Sequence, residues 1–217
     1  MKPSPAAARL PPSPAKGAEM QASSAHPGGW LVGDNRPVVA YQGVPGAFSE
    51  VAAGRVFPHA EMLPCPTFEA VFEALRTGTA ARAVLPVENT TVGRIAPVWH
   101  LMETEVVEEA EAGVVVSVLL ALIAPPGVGF EALRRVRSHP AALGQCRAFF
   151  RAHPHLTAVE DFDTAGAAAR VVQEGRGDEA ALASAHAAGV YGGVILRPAV
   201  QDSADNATRF VCLRRRR

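Results

Sequence analysis

The sequence has no surplus of charge, few cysteines and no apolar run long enough to cross a bilayer. Its 217 residues carry 21 Lys and Arg against 21 Asp and Glu, so the net charge is zero with neutral histidines. Without a basic excess there is no electrostatic ground for a nucleic-acid partner. The one basic cluster, Arg214 to Arg217, reads as a solvated tail. Cys65, Cys146 and Cys212 are odd in number and far apart, which excludes a short-spaced zinc or dithiol motif and leaves reduced, mostly buried thiols. Among seven histidines only His153 and His155 lie close, and a separation of two residues does not suit a helical metal site, so no metal is expected. The most apolar run, Val114 to Ala124, falls short of the ~20 residues of a membrane helix. Its Val-rich start reads as a buried strand, and no membrane role is expected. Also missing are a phosphate loop, a nucleophile–base–orienter triad and obvious paired carboxylates. Any reaction here must run on hydrogen-bond donors, helix dipoles and an arginine.

What the chain does have is a core. With 48% hydrophobic and 19% charged residues it is globular. Residues 1–36 are dominated by Pro, Ala, Ser and Gly without helical or strand periodicity, and read as a disordered tail. Low acid content and scattered basic residues also fit an organelle transit peptide, but a plain extension is the reading adopted, and with no apolar signal segment the protein is expected to be cytoplasmic. From Pro37 strands and helices alternate, which predicts an α/β fold. The length suits two small α/β lobes with a ligand cleft between them, the first covering about 37–112 with 197–213 and the second about 113–196. Ligands in such sheets sit at the carboxyl ends of strands, where loops enter helices.

Five junctions carry polar groups. GVPGAFS (43–49) offers glycines and a helix N-terminus that can approach an anion, or simply a structural turn. ENTTVG (88–93) puts Asn89, Thr90 and Thr91 directly after a buried strand, either facing a ligand or forming a polar loop. In SHPAALGQC (138–146) Ser138 is placed as an N-cap with Pro140 in the first turn, and His139 reads as structural. Gln145 lies two helical turns on, nearly on the same side as Ser138; the plainer alternative is a capping serine and a solvated glutamine. In DTAGAAA, Asp163 or Thr164 caps a helix, with a ligand contact as an added role for Thr164. In QDSADNATRF, Thr208 and Phe210 share one strand face and Arg209 takes the other, where an ion pair is the structural alternative.

Taken in this order, GVPGAFS, LPVENTTVG, SHPAALGQC, DTAGAAA with ALASAHAAGVYG, and VQDSADNATRF resemble the prephenate dehydratase family, over roughly Val38 to Leu213. The resemblance implies a catalytic domain similar to type II periplasmic binding proteins, with prephenate in its cleft and no cofactor. It implies a lyase of L-phenylalanine biosynthesis that removes carboxylate and hydroxyl together to give phenylpyruvate. By motif position Thr208 is the residue essential for catalysis, while Asn89, Thr90, Ser138, Gln145, Thr164 and Arg209 bind substrate. A homodimer is a reasonable assembly. The chemistry agrees, because aromatisation of the ring supplies the driving force and leaves only a poor leaving group to assist, which a threonine hydroxyl can do by donating a hydrogen bond. Helix N-termini at Gly46 and Ser138 are expected to hold the remaining carboxylates. The chain departs from the family in lacking a regulatory ACT segment after TRF, so feedback by phenylalanine through such a domain is not expected. Val92 and Arg94 also replace small polar residues. Two alternatives stand beside this reading: an arogenate dehydratase, acting on the aminated relative of prephenate, and a non-catalytic ligand-binding protein of the same fold.

Overall fold

A computed structural model describes residues 36–216. The expected tail therefore lies outside the described residues, Arg36 excepted. In chain order the elements are β1 (Val38–Gln42), α1 (Phe48–Val56), β2 (Glu61–Cys65), α2 (Phe68–Thr77), β3 (Arg82–Asn89), β4 (Gly93–Arg94), α3 (Ala96–Thr104), β5 (Val107–Glu109) and β6 (Val114–Ser117). The second half holds β7 (Ala121–Ala124), β8 (Arg135–Ser138), α4 (Pro140–Gly144), α5 (Arg147–Ala152), β9 (Thr157–Glu160), α6 (Thr164–Glu174), β10 (Glu179–Ala183), α7 (Ala185–Tyr191) and β11 (Val194–Arg197). Last comes β12 (Ala207–Arg215).

Two sheets result, one per lobe. The first has the order β2-β1-β3-β12-β5, with β4 beside β3 and β6 beside β12. The second runs β11-β7-β10-β8-β9. β1 is parallel to β2 and β3, and β8 to β9 and β10, while β12 and β7 run against their neighbours. Helices cover both faces of the first sheet. α2 lays Val71, Phe72 and Leu75 on one face with Leu85 and Leu213, and α1 lays Ala52 and Ala53 on the other with Val39 and Phe210. α2 starts where the Thr67 side chain accepts from the Ala70 amide at 3.2 Å and stops at Gly78, whose φ of 81° suits the left-handed cap. In the second lobe, small residues of α6 (Ala165, Ala167, Ala168) let the helix lie close on Ile123 and Ala181.

The apolar run Val114–Ala124 is not one strand. β6 has only Val116 fully buried and joins the first sheet, whereas β7 is buried throughout and joins the second. The chain changes lobes at 118–120, later than the boundary at 113 expected from sequence, and crosses back between Arg197 and Ala207. The two crossings are stitched together by Val118 N to Asn206 O (2.8 Å), Leu120 N to the Gln201 side chain (2.9 Å) and Val200 N to Leu120 O (2.9 Å).

The arginine run is corrected as well. β12 continues through Arg215, with Arg214 opposite Glu108 of β5 and its Nε 2.8 Å from that carboxylate. Arg216 still donates its amide to Val106 O at 3.0 Å. Strand pairing and a charge partner keep Arg214 to Arg216 on the sheet; Arg217 lies outside the described residues.

Candidate active site

A cleft of about 570 Å³ opens between the lobes. The first lobe lines it with Gln42, Phe48, Thr67, Asn89 and Thr208. The second contributes His139, Gln145, Phe162, Asp163 and Thr164, while Asn206 comes from the returning crossing. Gln42 and Asn89 end β1 and β3, so the cleft sits at carboxyl ends of strands.

Its centre is a directional chain of amides. Asn89 Oδ1 accepts from the Thr91 and Val92 amides at 2.9 and 3.1 Å, which fixes the side chain with its NH2 turned inward. That Nδ2 donates to Asn206 Oδ1 (2.7 Å), to Thr208 Oγ1 (2.9 Å) and more weakly to Ala207 O (3.2 Å). Asn206 Nδ2 in turn donates to Gln145 Oε1 at 2.8 Å, carrying the chain into the second lobe. Each acceptor is thus used, and what is left over is donors: the Thr208 hydroxyl hydrogen and the Gln145 NH2 have no acceptor among the described residues. Asn206 and Thr208 are buried, where a fixed donor acts with little competition from water.

Ser138, Thr90, Arg209 and Gly46 lie in places different from those expected of ligand-binding groups. Ser138 does not line the cleft: it ends β8, fully buried, and its hydroxyl donates to Leu182 O at 2.7 Å. His139 caps α4 instead, its Nδ1 accepting from Ala141 N at 3.1 Å, and it also lines the cleft. The helix expected to join Ser138 to Gln145 is broken after Gly144. Gln145 O accepts from Asp202 N (2.7 Å), and the Asp202 carboxylate accepts from Arg147 N and Ala148 N (3.0 and 2.8 Å), starting α5 separately. Thr90 spends its hydroxyl on the backbone, donating to Asp205 O (2.9 Å) and accepting from Ala207 N (3.0 Å), so it ties two loops together outside the main cleft. Arg209 lies on the opposite strand face, exposed, 3.5 Å from Glu88. At Gly46 the amide donates to the carboxylate of Glu50 at 2.6 Å, so its place as an anion donor is already filled.

The GVPGAFS loop is a joint between the lobes. Ser184 donates to Gly46 O and Tyr191 to Pro45 O, both at 2.6 Å, and Glu50 meets His186 at 2.9 Å. Gly46 has φ of 88°, and a Cβ there would fall 2.9 Å from Ala187. Thr164 stands in the cleft as the first residue of α6, with Asp163 as the cap. Sequence reasoning did not single out Asn206 or Phe162 as site residues. Asn206 lay inside the quoted VQDSADNATRF string, but a turn asparagine gives no local sign of distant amide partners. Phe162, 85% exposed at the cleft, gave no sequence signal. Among the described residues no group of three or more His, Cys, Asp or Glu is arranged to hold a metal ion, and no helix is long and apolar enough to cross a membrane.

Residues 39–217 match the family described as prephenate dehydratase. Over 181 residues the chain is 45% identical to arogenate dehydratase 1 of Petunia hybrida, covering 82% of this chain and 42% of that protein. It is 44% identical to the chloroplastic arogenate dehydratase/prephenate dehydratase 6 of Arabidopsis thaliana, covering 82% and 43%. The chain thus spans less than half the length of these relatives. Among solved structures, one described as a novel type of quorum-quenching acylase superposes with a TM-score of 0.75 at 37% identity, over 83% of this chain and 64% of that one. Prephenate dehydratase from Arthrobacter aurescens in complex with L-Phe gives a TM-score of 0.74 at 27% identity, over 82% and 60%. The Arabidopsis relatives are named chloroplastic, which overturns the cytoplasmic expectation. That expectation rested on the missing apolar signal segment, which a plastid address does not require.

Proposed function

The chain belongs to the prephenate dehydratase family, and from that premise we propose that it is a carbon–oxygen lyase that decarboxylates and dehydrates prephenate or its aminated relative arogenate, in aromatic amino-acid biosynthesis. The observation that carries this reading is the Thr208 hydroxyl, held by Asn89 so that its hydrogen is free to point at a leaving oxygen. In the reaction the bond from the ring to the carboxylate breaks, and its electron pair completes the aromatic ring. The ring carbon–oxygen bond breaks at the same time, and hydroxide leaves and takes up a proton to become water. Thr208 donates to that oxygen as its charge grows, Asn89 orients Thr208, and the donor end of Gln145 is available to a substrate carboxylate from the other lobe. Losing one such preorganised donor typically costs about 10²–10³ in kcat.

An acyl-transfer reading would need a nucleophile within reach of a base. His139 spends Nδ1 on the Ala141 amide, and among the described residues no serine or threonine of the cleft bonds to its ring. The deciding experiment follows phenylpyruvate from prephenate, and phenylalanine from arogenate, with purified chain and a folded Thr208→Val variant. Turnover of at least one substrate that collapses in the variant is expected; equal turnover by the two proteins would sink the role of Thr208.

A further inference from the structure

Among the described residues that line the cleft, Asp163 is the single acid, and no lysine or arginine stands with it. We propose that Asp163 is a specificity-determining residue that receives the α-ammonium of an amino-acid substrate, so that this chain takes arogenate in preference to prephenate. The proposal rests on the dehydratase reading and deepens it.

Arogenate and prephenate share the ring, the ring hydroxyl and two carboxylates. They differ where one carries an ammonium and the other a keto oxygen, so one brings a net charge of −1 and the other −2. A cleft with a fixed carboxylate and no cationic side chain separates these two twice over. It attracts the ammonium, and it repels the more negative keto acid.

Asp163 is suited to this task by how it is held. Its Oδ1 accepts from Gly166 N at 2.6 Å, and no hydrogen bond to Oδ2 occurs among the described residues. Position 166 is a glycine with no side chain to crowd that carboxylate, since a Cβ there would lie 2.8 Å from Oδ2. The preceding loop is clamped by Asp161, whose amide donates to Ser138 O at 2.9 Å and whose carboxylate meets Arg170 at 3.1 Å and Arg137 at 3.7 Å. One carboxylate oxygen is therefore anchored, while the other has no hydrogen bond among the described residues, on a residue that lines the cleft. The neighbouring Tyr191 phenol is pushed up, first by burial and then by the Asp163 charge, as a carboxylate close to that wall requires.

The test compares kcat/KM on arogenate and on prephenate for the native chain and for Asp163→Asn, which caps a helix about as well as aspartate. The native chain is expected to favour arogenate, and the ratio of the two constants to fall by about tenfold or more in the variant. An unchanged ratio, or a native preference for prephenate, would overturn the assignment of Asp163. Should neither substrate be converted by the native chain, the dehydratase reading fails by itself. Calorimetry with L-phenylalanine and phenylpyruvate then reads the same group difference. Tighter binding of the amino acid that is lost in Asp163→Asn upholds ammonium recognition, and equal affinities refute it.

Discussion

Asn89 donates to the hydroxyl oxygen of Thr208 across 2.9 Å, and the two residues face each other on adjacent antiparallel strands. The pairing makes the threonine a donor toward the cleft, because its acceptor capacity is engaged from behind. Thr208→Val, which keeps the shape and loses the hydroxyl, should lower kcat by about 10²–10³ while moving KM little. Thr208→Ser should keep most of the activity. Steady-state kinetics on both variants, with thermal unfolding to verify folding, checks this.

Asn206 joins the lobes by accepting from Asn89 and donating to Gln145. Asn206→Ala removes the donor to Gln145 Oε1 and one of the three acceptors of Asn89 Nδ2, and should cost about 1 kcal/mol. Urea unfolding measures the loss. Activity should fall further than stability requires, because Gln145 no longer has its donor end fixed.

Two glycines near or within α1 should respond in opposite directions. Gly46→Ala forces a Cβ to 2.9 Å from Ala187 at a φ of 88°, and should destabilise by about 2 kcal/mol or more. Gly54→Ala meets open space on the helix and should stabilise by about 0.4–1 kcal/mol. Denaturant midpoints of the two variants against the native chain decide it.

Stability should decline at alkaline pH. Burial, aided by Asp202, pushes the Cys146 thiol up from 9.0 to about 12, and burial with the Glu111 hydrogen bond does the same for Cys212. Between those values the folded chain keeps both protons while the unfolded chain has released them, so unfolding is drawn forward as pH rises. The stabilisation is complete below about pH 9 and is lost as pH climbs toward 12. Replacing both thiols by alanine should flatten the decline above pH 9, measured as unfolding free energy against pH.

Much of this architecture was legible because local rules and tertiary structure agreed. α2 carries its cap at Thr67, its apolar stripe and its stop at Gly78 within one short segment. Disagreement arose where distant groups decide. Ser138 and His139 are both competent caps before Pro140, and the choice went to His139 because Leu182 O, on a neighbouring strand, claims the serine hydroxyl. Gln145 was found for a wrong geometric reason, since the carboxylate of Asp202, far along the chain, breaks the helix on which the argument relied. Arg214 looked solvated because its partner Glu108 sits on a strand of only three residues, too short to show periodicity. The polar strings named the right neighbourhood. Which hydroxyls are spent on backbone and which remain available could be read only from the hydrogen bonds.

The central position of β12 also bears on biogenesis. A strand that lies between β3 and β5 must be inserted into a sheet whose other members, β6 the last of them at Ser117, were all made long before Ala207, and it brings Thr208 with it. During synthesis the second lobe has all its strands by Arg197, while the first still has a gap through its middle. A translation product stopped before residue 207 would therefore carry one finished half, one half with exposed strand edges, and no Thr208. On the role proposed for Thr208, such a product is both partly folded and inactive.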